Sequence, residues 1–267
     1  MTGTPAARAW RRDDRPTVLK LGGETLADQH ATLEGVAAAS RRRPIVVVHG
    51  GGKRLTGWLD RLGIESQFED GRRVTDAAAL DVAIAVLRGL MNTEVVAALQ
   101  GLDVPAVGLS GVDGGLIAAV RVPELGRVGR VVGAHPGIVV AALGAGFMPV
   151  VAPIALDEVG ETCNCNADEV AAGLAAALGG QLTLLSDTDG VRGPDGRRIP
   201  RLEAGAVAGL IEAGVISGGM IPKVRSALAV LAAGGHDVVI ADGRGAGSVE
   251  RALDDPEWGT RIVRGEG

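Results

Sequence analysis

"PIVVVHGGG", residues 44–52, decides how the chain is built. Ile45 to Val48 are all β-branched and read as a strand buried on both faces; three glycines then turn the chain into a helix expected over about 53–62. The design also stands upstream, where "TVLKLGG" (17–23) reads as a strand ending in a glycine turn before a helix over about 28–41. Strand, glycine turn and helix, twice over, predict a parallel sheet. Helices are expected at about 76–89 and 92–101, then a strand in "VPAVGLSG" (104–111) and a hairpin from 116–121 and 127–132. A helix near 137–146 and one buried strand, "MPVVAPIAL" (148–156), follow. Asn166 caps a helix running to about 179. "QLTLLSD" (181–187) and "HDVVIAD" (236–242) are further strands, helices lie near 203–214 and 221–234, and "TRIVRG" closes the chain. This alternation describes a doubly wound α/β sandwich, whose ligands bind at the carboxyl ends of the strands, where Lys20, His49, Ser110 and Asp187 fall.

With 267 residues the chain fits one domain or two closely fused lobes. Apolar residues make up 46% and charged residues 22%, which excludes wholesale disorder. Trp10, Trp58, Trp258, Phe68 and Phe147 are its aromatics, so the core is aliphatic and offers no platform for stacking bases. With a net charge of −5 and no basic stripe, no nucleic-acid partner is expected. No unbroken apolar run reaches the ~18 residues of a membrane span, so no membrane association is expected. Residues 1–16 read as a short disordered tail without the features of a secretory signal, which makes the cytoplasm the expected compartment. Cys163 and Cys165 stand too close in sequence for an ordinary disulfide and lack the other ligands of a zinc site. The four histidines form no ligand spacing either, and no metal site built by the protein is expected.

"HGGGK" invites a phosphate-loop reading, but the G-x-x-x-x-G-K-[ST] spacing is missing, and "KLGGETLAD" lacks the G-x-G-x-x-G of a dinucleotide fold. What remains are glycine turns after strands, each offering backbone N–H groups ahead of a helix. Any one of them is equally compatible with a plain tight connection. The cations sharpen the case. Lys20 interrupts an apolar strand, where a lysine needs a cleft or a partner. Lys223 follows Pro222 in "SGGMIPKV" (217–224), at the positive end of a helix, where an anion rather than a cation is favoured. Two lysines on separate elements, both near glycine turns, suit a phosphoryl group whose charge is stabilised during transfer.

Several motifs carry a resemblance. "KLGG" (20–23), "VVVHGGGK" (46–53), "GRRVTD" (71–76), "VGLSGVDGG" (107–115), "MPVVAPI" (148–154), "NCNADEVAAGLAAALG" (164–179), "LLSDTDGV" (184–191), "SGGMIPKV" (217–224) and "ADGR" (241–244) resemble, in order and spacing, the N-acetylglutamate kinases of the amino acid kinase family. The match spans about residues 17–264. It implies a three-layer αβα sandwich with a mainly parallel central sheet, an N-terminal lobe of about 17–179 for the acyl amino acid and a C-terminal lobe of about 180–267 for ATP. It further implies phosphorylation of the γ-carboxylate of N-acetyl-L-glutamate by ATP, the second step of arginine biosynthesis.

Residue by residue, the resemblance implies that Lys20 and Lys223 stabilise the transferring phosphoryl group while Asp168 orients them. Gly22, Gly23, Gly51 and Gly52 bring N–H groups to phosphoryl and substrate oxygens. Arg73 grips the substrate's α-carboxylate with help from Asn164, a role suited to bidentate guanidinium recognition. The stretch "SDTDGV" (186–191), with Asp187, Thr188, Asp189, Gly190 and Val191, lines the nucleotide site together with Val215, Ile216 and Ser217. Mg²⁺ is expected to arrive with ATP, held mainly by phosphate oxygens. The chain departs from the family at Thr93 and Val112, and its short ends imply a homodimer without strong arginine feedback. Two other readings remain: a kinase acting on carrier-bound aminoadipate, and a silent amino-acid sensor. The presence of Lys20, Asp168 and Lys223 argues against the sensor.

Overall fold

Alternation along β1 (Thr17–Leu21) sets the layers of the protein. Val18 packs on one side of the sheet and Leu19 and Leu21 on the other, so Lys20 shares the side of Val18. The structure is a computed structural model that describes residues 15–22, 26–69 and 72–265, with residues 26–29 as backbone alone. Gly23 and residues 1–14 of the expected tail lie outside the described residues.

The Val and Ile run of "PIVVVH" forms β2 (Ile45–His49), parallel to β1 with Lys20 opposite Val48. On the other flank β1 pairs in parallel with β11 (Gln181–Ser186). The main sheet has eight strands in the order β12-β14-β13-β11-β1-β2-β8-β5. Of these, β5 is Ala106–Ser110, β8 Met148–Ala152, β12 Arg201–Glu203, β13 Val238–Asp242 and β14 Thr260–Val263. Its pairings are parallel except for β13 with β14. The sheet runs unbroken across the expected lobe boundary near residue 180, because β1 joins β11 directly.

On the Lys20 side the core gathers Val46, Val48, Leu182 and Leu184 with α6 (Ala167–Leu178) and α8 (Met220–Ala232). The opposite side packs Leu19, Leu21 and Val47 against α1 (Leu26–Ser40), α4 (Asn92–Gly101) and α9 (Ser248–Asp254). The remaining helices are α2 (Gly52–Arg61), α3 (Ala77–Ala83), α5 (Gly137–Gly144) and α7 (Ala204–Glu212). With helices on both faces of a mainly parallel sheet, this is the expected three-layer αβα sandwich.

Two local readings are corrected, and further elements were not expected. Helices expected at 76–89 and 92–101 form one continuous helix, Ala77–Gly101, because a π-helical segment, Ile84–Met91, links α3 to α4 without a break. That helix is long and apolar enough to cross a membrane by length and composition, yet Leu80, Val86, Leu87, Val95 and Leu99 are buried in the fold. The strand expected over 148–156 is two strands. β8 belongs to the main sheet, and beyond Pro153 β9 (Ile154–Leu156) joins a small closed barrel, β10-β7-β6-β9. The expected hairpin supplies β6 (Ile117–Val122) and β7 (Val128–Ala134), and the unanticipated β10 (Thr162–Cys165) completes the barrel. A second unanticipated hairpin, β3 (Phe68–Glu69) with β4 (Arg72–Arg73), stands beside it, and α9 was also unanticipated.

Candidate active site

Lys20 reaches the carboxyl end of β1 on the α6 side of the sheet, and α6 begins there. Its N-cap is Asn166, whose side-chain oxygen accepts the Asp168 N–H at 2.8 Å, so Asp168 is fixed in the first turn. Lys20 Nζ lies 2.9 Å from Asp168 Oδ1 as an ion pair, and Lys223 Nζ donates to Asp168 Oδ2 at 3.0 Å. One carboxylate therefore holds two ammonium groups, one from a strand and one from a helix start. Pro222 fits that start because the first turn of α8 needs no hydrogen bond from its nitrogen.

These groups are buried: Lys20 is 7% exposed and Asp168 4%. Burial alone would raise the Asp168 pKa, but the charges and hydrogen bonds of Lys20 and Lys223 outweigh it and hold the carboxyl below its ordinary value. Burial and the nearby Lys20 charge pull the Lys223 pKa down, with Asp168 opposing. Two cations beside one anion leave a net positive charge at this point, where an anion is welcome.

Two cavities meet there. The first, of about 230 Å³, is lined by Gly50, Gly51, Gly52, Arg73, Asn164 and Asp168, among others. The second, of about 480 Å³, is lined by Gly22, Lys53, Ser186, Asp187, Gly219 and Lys223, among others. Lys20 and Gly52 line both. In the first cavity the Arg73 guanidinium donates to Gly52 O at 3.2 Å, to Thr56 Oγ1 at 2.6 Å and to Ser66 Oγ, and it lies 4.5 Å from the Phe68 ring centroid. These partners are neutral, and burial lowers the Arg73 pKa while the more distant Asp60 opposes. Asn164 makes a long contact of 3.4 Å to Thr75 Oγ1. Cys163 and Cys165 flank it with their sulfurs in thiol–thiol contact at 3.9 Å and not joined as a disulfide, and Cys165 also lines the cavity.

The expected nucleotide residues divide. Gly22 and Asp187 line the second cavity. Thr188 and Asp189 are exposed on the following loop, the first with its hydroxyl 3.0 Å from Ser186 Oγ, the second paired with Arg192 at 3.2 Å. Gly190 and Val191 close that loop against Thr260, and the Val191 side chain is in the core. Val215 is half-buried, Ile216 is a core residue and Ser217 is exposed, on the approach to α8. Ser186, the first residue of the expected "SDTDGV" stretch, lines the second cavity too, whereas sequence reading did not single out Thr32, Lys53, Gly219, Gly243 or Arg244 as lining residues. Lys53 and Arg244 stand inside the motifs "HGGGK" and "ADGR", so their type and place were visible although their convergence was not.

Among the described residues, no group of three or more His, Cys, Asp or Glu side chains is placed to hold a metal ion.

Comparison with known proteins agrees with this geometry. The model of the Amino acid kinase family matches residues 15–242. An acetylglutamate kinase of Rubrobacter xylanophilus is 43% identical over 255 residues, covering 95% of this chain and 98% of the relative. Another, of Solibacter usitatus, is 42% identical over 253 residues, covering 92% of this chain and 98% of the relative. The crystal structure of smu.665 from Streptococcus mutans UA159 superposes with a TM-score of 0.79 at 25% identity, covering 94% of this chain and 99% of that one.

Proposed function

The chain belongs to the amino acid kinase family, and from that premise we propose that it is an ATP-dependent kinase of N-acetyl-L-glutamate. It transfers the γ-phosphoryl group of ATP to the γ-carboxylate, giving N-acetylglutamyl 5-phosphate and ADP, in arginine biosynthesis. The observation that carries this reading is the pair of cavities sharing Lys20 and Gly52 as a common wall, with Asp168 on one side and Lys223 on the other.

The smaller cavity takes the acyl amino acid, with Arg73 and Asn164 holding the α-carboxylate end and Gly51 and Gly52 near the γ-carboxylate. The larger takes the phosphates of ATP, with Gly22, Gly219 and Lys223 around them and the loops at 187–191 and 215–217 beyond. In this reading residues 17–179 serve the acyl substrate and 180–267 the nucleotide. A γ-carboxylate with a pKa near ~4 is already ionised at neutral pH and attacks phosphorus without surrendering a proton. No general base is required. Catalysis then reduces to holding two anions in line and offsetting their repulsion, and the buried Lys20 and the half-buried Lys223 do so where water is scarce. Asp168 keeps both ammonium groups aimed at one point. Mg²⁺ arriving with ATP would be held mainly by phosphate oxygens and would supply further neutralisation of their charge. The enzyme works in the cytoplasm as a homodimer; light scattering that gives a hexamer would overturn the dimer.

The test is acyl-phosphate trapping. Purified protein with ATP, Mg²⁺, N-acetyl-L-glutamate and hydroxylamine is expected to give a coloured hydroxamate, and Lys223→Met is expected to lose at least about 100-fold, as when one charge-stabilising donor is removed. Folded, ATP-binding wild type that gives no hydroxamate would refute the substrate assignment, and carrier-bound aminoadipate would be tried next.

A further inference from the structure

Behind the glycine turn lies a polar cluster that the reaction scheme above does not use. His49, the last residue of β2, is 1% exposed, and so is Asn92, at the point where the π-helical segment gives way to α4. The Asn92 amide nitrogen lies 2.9 Å from Val150 O, 3.1 Å from His49 Nε2 and 3.4 Å from Leu109 O, while its oxygen accepts from Arg88 Nη1 at 3.2 Å. A carbonyl only accepts and a guanidinium only donates, so both ends of the amide are assigned by their partners. The NH₂ end faces His49, Nε2 must be the acceptor, and the ring proton therefore sits on Nδ1. From there it is donated to Gly50 O at 2.9 Å.

That bond fixes a peptide plane. Gly50 O belongs to the Gly50–Gly51 peptide, which is trans, so the Gly51 N–H points away from His49. Gly50, Gly51 and Gly52 line the acyl-acceptor cavity. The π-helical segment braces the same turn from behind: a Cβ on Gly51 would lie 2.4 Å from Met91 Sδ and 2.5 Å from a Leu87 methyl, and Gly51 has φ 157°. The π-helical stretch thus delivers Leu87 and Met91 to the glycine and, one residue later, Asn92 to the histidine. Burial holds the His49 pKa down at about 4 against the Gly50 hydrogen bond, with Arg88 adding to the effect, so the ring is neutral at working pH and puts no extra charge beside the lysines.

We propose that His49 and Asn92 are positioning residues that lock the Gly50–Gly51 peptide so that the Gly51 N–H faces the acceptor cavity and meets an oxygen of the reacting carboxylate or phosphoryl group. What the amide meets rests on the kinase reading above; its orientation does not. Asn92 sets the tautomer, His49 holds the carbonyl, and neither touches the substrate.

The experiment has two readouts. In ¹⁵N spectra of the wild-type protein, His49 should show a protonated Nδ1 and a bare Nε2; the reverse tautomer would overturn the proposal. In the hydroxamate assay, His49→Ala and Asn92→Ala are each expected to lower kcat about 10–100-fold, the loss expected when a donor is misaimed rather than removed, with the KM for ATP changed by no more than about twofold. His49→Asn carries an amide N–H near the Nδ1 position and should recover most of that loss. The His49→Ala/Asn92→Ala double variant should be no worse than the poorer single one, because the two act in series. Full kcat in folded His49→Ala, or no recovery in His49→Asn, would refute the role. Should wild type give no hydroxamate, the substrate reading fails, and hydrogen exchange at Gly51, faster in His49→Ala than in His49→Asn, still decides the proposal.

Discussion

Replacing Asp168 with asparagine preserves the shape of the centre and removes its negative charge. In the native protein one carboxylate faces two ammonium groups at 2.9 and 3.0 Å. At ~3 Å and an effective dielectric of ~20, each contact is worth roughly 5 kcal/mol before the cost of removing the ions from water. That cost cancels much of the attraction while the trio is intact, but the variant leaves the buried Lys20 and the half-buried Lys223 without their counter-charge. Breaking a buried pair in this way costs about 3–5 kcal/mol, corresponding to a fall in Tm of about 6–20 °C for a chain of this size. The pH dependence gives a second signature. Asp168 is a cause that raises the Lys223 pKa against burial and Lys20, so its loss depresses that pKa further. A lysine with a depressed folded pKa binds fewer protons folded than unfolded between that pKa and ~10.5, and stability rises with pH across the window. The deficit of Asp168→Asn therefore narrows as pH rises from 7 towards 10. At the acid end the sign is the usual one for a carboxylate. The Asp168 pKa is lowered by folding, so its contribution is present above ~3.8 and disappears as pH falls through the folded value. Urea unfolding of both proteins at pH 4, 7 and 10 measures all of this. A loss below about 1 kcal/mol at pH 7, or a deficit that does not narrow between pH 7 and 10, would mean that the two lysines do not depend on Asp168 for their charge.

Arg73→Lys keeps the positive charge but gives up the planar fork, and it is expected to raise the KM for N-acetyl-L-glutamate about 10–100-fold with kcat within a few-fold, measured by hydroxamate formation. An unchanged KM would remove Arg73 from the carboxylate site. Gly108→Ala places a Cβ 2.1 Å from Asn92 Oδ1 and 3.3 Å from Arg88 Nη1, and it should cost about 1–3 kcal/mol in urea unfolding. Native stability in that variant would contradict the close approach of β5 to the amide of Asn92.

The fold class and both lysines were legible because each depends on local chemistry. The runs at 17–21 and 45–48 are apolar and glycine-terminated, and such a run becomes a buried parallel strand almost wherever it is placed. A lysine inside one of those runs, and another beside a proline at a helix start, are anomalies visible without coordinates. Asn166 was legible as a cap because the N-cap bond spans two residues. The barrel was not. β10 is the four residues "TCNC", too short and too polar for a period of two to stand out, and the change of sheet at Pro153 depends on which partner each half of 148–156 finds. The π-helical segment escaped for a related reason, since it keeps the apolar spacing of an ordinary helix and differs in which carbonyl each N–H reaches.

By itself, then, the sequence determined the layer plan, the glycine turns and the family's charged residues, all of them carried by neighbours a few positions apart. Only the tertiary structure decided which groups meet: Lys20, Asp168 and Lys223 lie up to 203 positions apart, and His49 reaches Val150 through Asn92. The reason is burial. A carboxylate between two ammonium groups, or an amide between strand carbonyls, is stable only where water has been excluded, and that exclusion comes from sheet, helices and barrel closing together rather than from any one segment.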